Sequence, residues 1–262
     1  MKLFTANKTR KAIFILLILS LFIIFAKITY PLLNKEPTLE IKTQQIEQKI
    51  YQTKEEYLPK PTKILPSGLP NKHLINTFFV EQAPEKNWDQ PWQDACEEAG
   101  ILTLHYYYQD STPSLDQILS DYQKIFDYQT SQGWGHDTNT QQMLQTAQTL
   151  FDYQGLILEN PTLEDLKEYL AKDIPLIVPA NGKTLYQENK HFKNQGPYYH
   201  NLVLLGYDDS IQKFIVHDVG TQFGAYFQYS YSLLLDSIHD LPDSKDKTEI
   251  QKGAKRVVVL LK

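Results

Sequence analysis

Helical patterns in the first half of the folded region and strand patterns in the second predict an α+β domain with an antiparallel sheet. Two further observations frame that domain. A cation-flanked apolar run opens the chain, and a proline-punctuated stretch separates it from the aromatic-rich part. The expected organisation is a cytoplasmic tip and transmembrane anchor over residues 1–33, an extracytoplasmic stalk over 34–73 and a domain over 74–262.

In the first segment, Lys2, Lys8, Arg10 and Lys11 precede an uninterrupted apolar run of 15 residues, 12–26. That is short of the roughly 20 residues a spanning helix needs. Lys27 can snorkel, however, and Ile28, Tyr30, Leu32 and Leu33 prolong the apolar stretch. No small-x-small cleavage site follows the run, and the basic residues predict a single-pass anchor with the N-terminus cytoplasmic. Pro37, Pro59, Pro61, Pro66 and Pro70 then mark a spacer.

The domain opens with a strand pattern at 74–80. Ala95, Cys96, Ala99, Leu102 and Tyr106 recur every three or four residues, which predicts a helix over 94–108 with a buried face. Leu115, Ile118, Leu119, Tyr122 and Phe126 make the stripe of a second helix over 114–130, broken at Gly133-Trp134-Gly135. Asp137 or Thr138 caps a third helix running to about residue 151. Thr162 and Asp165 resemble a capping box and open a fourth, which ends before Asp173. Strands are predicted at 174–179, 201–207, 211–217, 225–229 and 256–261.

Composition excludes several classes. A net charge of −5 leaves no electrostatic footprint for nucleic acid. The sequence lacks a Gly-rich phosphate loop, and no set of His or acidic residues has zinc spacing, so neither a metal nor a cofactor is expected. Trp88, Trp92 and Trp134 read as core first and cleft lining second. The chain has one cysteine, Cys96, in "QPWQDACEEAG". It cannot form an internal disulfide.

Cys96 falls at the predicted start of a helix, where the partial positive charge favours thiolate; Asp94, Glu97 and Glu98 oppose it. Its partner is sought among seven histidines. In "HNLVLLGYDDSIQKFIVHDVG" two apolar runs flank Asp208-Asp209-Ser210, the pattern of a β-hairpin. With the turn centred on Asp209, His200 lies opposite Asp218, on one face, with Cβ atoms about 4.5–5.5 Å apart. His217 faces the other way, and a one-residue slip exchanges the two histidines. A thiol at a helix start, a later His and an Asp across a hairpin form a nucleophilic set, in the order found in papain-like hydrolases.

The stretch "VEQAPEKNWDQPWQDACEEAG" resembles the nucleophile segment of cysteine peptidase family thirty-nine, the bacteriocin-leader-processing type. The later stretch "YYHNLVLLGYDDSIQKFIVHDVGTQFGAYFQYSYSLLLDSIHD" is similar to that family's His-strand, Asp turn and Tyr-rich segment. The resemblance implies a papain-like cysteine peptidase fold, with Cys96 as nucleophile, His200 as general base and Asp218 as its orienter. It implies a peptide or protein substrate. One departure stands out: the family's Asn-Asp-Pro-Gly-Thr is here His217-Asp218-Val219-Gly220-Thr221. For the oxyanion donor two glutamines compete: Gln90 has the papain-like spacing of six residues, and Gln82 belongs to the family's own motif. The expectation is a membrane-anchored peptidase; the alternative is a catalytically inactive surface binding module of the same fold.

Overall fold

The computed structural model describes residues 68–262. The anchor and most of the stalk expected from the sequence lie outside these residues. Among the described residues, no helix is long and apolar enough to cross a membrane.

Helices precede most of the sheet, as the sequence predicts. A one-turn 3-10 helix at Trp92–Asp94 leads into α1 (Cys96–Gln109), followed by α2 (Leu115–Ser131) and α3 (Thr140–Phe151). Every residue of α1 from Cys96 to Leu104 is buried. The pattern predicted one buried face; α2 and α3 on one side and the sheet on the other cover the remainder. Ser114 caps α2 by accepting from the Gln117 amide. The cap of α3 is Asn139, one or two residues beyond the expected Asp137 or Thr138, and Gln142 completes its capping box. Thr162 caps α4 (Leu163–Leu170) with Asp165 at the third position, as expected.

The strands are β1 (Lys72–Leu74), β2 (Gln154–Glu159), β3 (Leu176–Asn181), β4 (Tyr199–Asp208), β5 (Lys213–His217), β6 (Phe227–Ser230) and β7 (Arg256–Leu261). They form one antiparallel sheet in the order β2-β7-β3-β4-β5-β6, with β1 on β4 beyond the end of β3. Two short helices, α5 (Gly182–Leu185) and α6 (Tyr231–Ser237), cover strand ends. The first strand is shorter and earlier than the expected 74–80, because residues 75–80 form no ladder, although the Ile75 amide still donates to the Leu205 carbonyl and the Thr77 carbonyl lies by His217. β2 was not expected. Its alternating half-buried pattern is weak and Gly155 interrupts it, yet β7 pairs with it along its whole length.

The β4–β5 hairpin differs from expectation in an instructive way. Asp208 pairs with Lys213, so residues 209–212 form a four-residue loop and not a three-residue turn. Gln212 occupies the left-handed region at its end, with φ of 55°. That longer loop alone would put His200 and Asp218 on opposite faces. A bulge between Leu204 and Gly206 absorbs one residue and restores the parity, and Val203 then faces His217. The register at the site is thus two residues from the expected one, and both side chains still share a face.

Candidate active site

α1 begins at Cys96, with Ala95 as a cap that offers no side-chain acceptor. The thiol is 4% exposed and lies at the wall of a cleft of ≈ 720 Å³. His200, from the start of β4, and Gln82, from the loop before α1, line the same cleft. The rim carries three large exposed aromatic residues, Trp88, Tyr198 and Phe223. Of the three tryptophans, Trp92 packs edge-on against Tyr122 and Trp134 edge-on against Tyr128, and Trp88 is left to the cleft.

Behind His200 the geometry is tightly defined. Its Nε2 lies 2.8 Å from Asp218 Oδ1, and both side chains are buried. The other Asp218 oxygen accepts from Asn189 Nδ2 at 2.8 Å and from the Tyr229 hydroxyl at 2.6 Å. Phe192 packs edge-on against the imidazole with ring centroids 5.2 Å apart. Burial would push the Asp218 carboxyl up, but the His200 charge and the hydrogen bonds from His200, Tyr229 and Asn189 outweigh it and hold the group below its ordinary value. The carboxylate is therefore an ionised, fully partnered acceptor that fixes the ring and leaves Nδ1 for the cleft. His217 faces the other way, its Nδ1 accepting from the Tyr226 amide and its Nε2 near the Thr77 carbonyl.

The thiol itself is engaged elsewhere. Cys96 Sγ donates to Glu97 Oε2 at 3.0 Å, and Asn201 Nδ2 approaches the sulfur at 3.8 Å. No hydrogen bond joins Cys96 to His200. Glu97 and Glu98, which the sequence showed only as early acids on a helix, are both fully buried. Glu97 Oε1 accepts from the Thr138 amide at 2.8 Å, and Glu98 Oε1 accepts from Gln129 Nε2. Nearby, Lys247 bridges Asp94 at 3.0 Å and Asp137 at 2.8 Å. Burial pushes the Cys96 thiol well up, and the acidic groups around it add to this: Glu97 by its nearness and its hydrogen bond, then Asp137 and Glu98. They outweigh the helix N-terminus, so the resting group is a thiol.

The two glutamines part company. Gln82 is buried beside Cys96, and its Nε2 donates to the carbonyls of Trp92 at 3.0 Å and Gln93 at 2.8 Å. Gln90 is outside the cleft and donates to Asp94 Oδ2 at 2.7 Å. Asn189, Tyr229 and the Glu97 contact escaped the sequence reading. Tyr229 stood in the predicted strand 225–229, within the Tyr-rich segment, with no role of its own, and Asn189 sits in a loop without periodicity. Among the described residues no group of three or more His, Cys, Asp or Glu has the arrangement of a metal site.

An α+β fold with a helix-start thiol, a strand-borne histidine and a buried aspartate defines a cysteine-peptidase-like domain. A profile of the Peptidase_C39 like family matches residues 79–235, and the chain belongs to that family. Among solved structures, the chain is similar to a C39-like peptidase described from Bacillus anthracis, at 16% identity and TM-score 0.45, covering 73% of this chain and 98% of that one. It is also similar to xylellain, a cysteine protease from Xylella fastidiosa, at 14% identity and TM-score 0.44, covering 77% and 90%. No curated protein matches the chain.

Proposed function

We propose that the domain is a cysteine peptidase that hydrolyses peptide bonds outside the cytoplasm, anchored to the cell membrane through residues 1–33 with its N-terminus cytoplasmic. The observation that carries this reading is the buried His200–Asp218 pair, 2.8 Å apart, whose imidazole lines the cleft that also holds Cys96. His200 takes the Cys96 proton on Nδ1, since Nε2 is held by Asp218. The thiolate attacks the peptide carbonyl, His200 returns the proton to the leaving amine, and water releases the acyl-enzyme. The Cys96 backbone N–H, one of the first in its helix and so without an intrahelical partner, is one oxyanion donor. Gln82 is the other, because it lines the cleft and Gln90 does not; one of its N–H bonds is shared with the oxyanion when that forms.

The test is the rate of Cys96 alkylation against pH in the full chain, with His200→Ala and Asp218→Ala beside it. Hydrolysis of a mixed peptide library is measured in parallel, with Cys96→Ala as the blank. Peptide cleavage that vanishes in Cys96→Ala, and an alkylation profile that moves in both other variants, support the reading. An unmoved profile with no cleavage overturns it. A second reading, an inactive peptide-binding module, is favoured by the thiol's bond to Glu97. In that case Cys96→Ala keeps full affinity for captured peptides.

A further inference from the structure

Glu97 is a buried acid with no cation in contact, and its two oxygens have different neighbours. Oε1 accepts the Thr138 amide at 2.8 Å, and Oε2 lies 3.0 Å from Cys96 Sγ. The Thr138 amide can only donate, whereas sulfur can also accept, so a neutral Glu97 carries its hydrogen on Oε2, the oxygen that faces sulfur. We propose that Glu97 is a positioning residue for Cys96: as a neutral acid it donates Oε2–H to the sulfur when the thiolate forms, and on ionising it holds the thiol protonated. This rests on the reading of Cys96 as the reacting thiol.

The proton balance is closed within the site. Cys96 gives its proton to His200 Nδ1, the imidazolium is held by Asp218, and the sulfur, now negative, accepts the Oε2–H of Glu97. No electrons change hands. A thiolate beside a carboxylate has no such donor and suffers like-charge repulsion, so each ionisation opposes the other and the pair titrates in two steps. The surroundings keep Glu97 neutral. Glu98 lies beside it in α1, Asp137 and Thr138 face it from the approach to α3, and Tyr199 faces it from β4. Lys247 is spent on Asp94 and Asp137. Burial first, then the nearness of the Glu98 and Asp137 carboxyls, push the Glu97 carboxyl well up; the bonds from Cys96 and Thr138 oppose them.

Glu97→Gln separates this role from a structural one. The amide keeps an acceptor for Thr138 and a donor for sulfur but cannot ionise. In the full chain the wild-type rate of Cys96 alkylation by iodoacetamide is expected to rise with pH in two steps. The Glu97→Gln rate is expected to rise in one, and to exceed the wild type by about tenfold or more on the alkaline side. Superimposable profiles, or a wild type that rises in one step, overturn the proposal. If Glu97→Gln does not fold, infrared spectroscopy of the wild type decides. A carboxylic-acid C=O band at neutral pH that shifts when Cys96 is alkylated supports the proposal, and no such response overturns it. The peptidase reading has its own outcome: no peptide cleaved, with the two-step rise intact, removes the proposed function and leaves the Glu97–Cys96 linkage standing. Cleavage with identical profiles does the reverse.

Discussion

Gly220 lies so close to His200 that a Cβ there would stand 2.7 Å from Cε1 and 3.3 Å from Nε2. The ring is held by Asp218 on one side and Phe192 on another, so it cannot turn away without losing the 2.8 Å bond. Under the proposed peptidase function, Gly220→Ala is expected to slow peptide hydrolysis by about 10- to 100-fold while leaving the thermal midpoint nearly in place, because a small misplacement of a general base is costly in rate. Gly224 makes the contrasting case. Its Cβ would fall 1.7 Å from the Asp218 carbonyl oxygen, which is backbone and cannot swing aside. Gly224→Ala is expected to cost a few kcal/mol of stability, read from denaturant unfolding, with the site lost as a consequence. Residue types made Cys96, His200 and Asp218 legible in the sequence, since each belongs to a recognisable chemical set. Glu97 was not, because acids in a first helical turn ordinarily face water, and only the packing of α2, α3 and the sheet around α1 buries it.

At the scale of elements, the β4 bulge carries most of the consequence. Alternation in the sequence identified two strands and a turn, and from them the His200–Asp218 pairing, but loop length and bulge are not written in alternation. The four-residue loop and the extra residue at Leu205 each displace the register, and at the active-site end their effects on parity cancel. Deleting Leu205 removes one displacement only. The deletion is expected to move His200 off the Asp218 face, so that alkylation of Cys96 becomes indifferent to an added His200→Ala change. Unchanged sensitivity to His200→Ala in the shortened chain would count against this account of the hairpin. Helix starts were legible to within two residues because caps are local chemistry. β2 was not, because its strand character comes from β7, a partner about a hundred positions away in the chain.

For the molecule as a whole, buried ionisable groups set opposing pH dependences. Burial pushes Glu98 up to about 8 from an ordinary value of 4.5, against the bonds from Gln129 and its own backbone. The native state thus keeps a proton that the unfolded chain releases, so this contribution to stability is whole below pH 4.5 and is lost as pH rises through about 8. Asp218 acts in the other sense. Its folded value lies below the ordinary 3.8, so its contribution is present above that pH and is lost as pH falls through the folded value. Thermal melts of Glu98→Gln against the wild type are expected to show a difference that moves in favour of the variant from pH 4.5 to 8. A difference independent of pH over that window would mean that Glu98 is ionised in the folded protein.

The position of β7 has a consequence for biosynthesis. Residues 256–261 are the last strand in sequence among the described residues, yet they lie inside the sheet, between β2 and β3. A growing polypeptide emerges with β2 waiting for a neighbour that the ribosome has not yet released. Helices can form as they appear, but the sheet closes only once residues 256–261 have emerged, and until then its interior edge stands open. That ordering makes the newly made chain a natural client for whatever shields such edges.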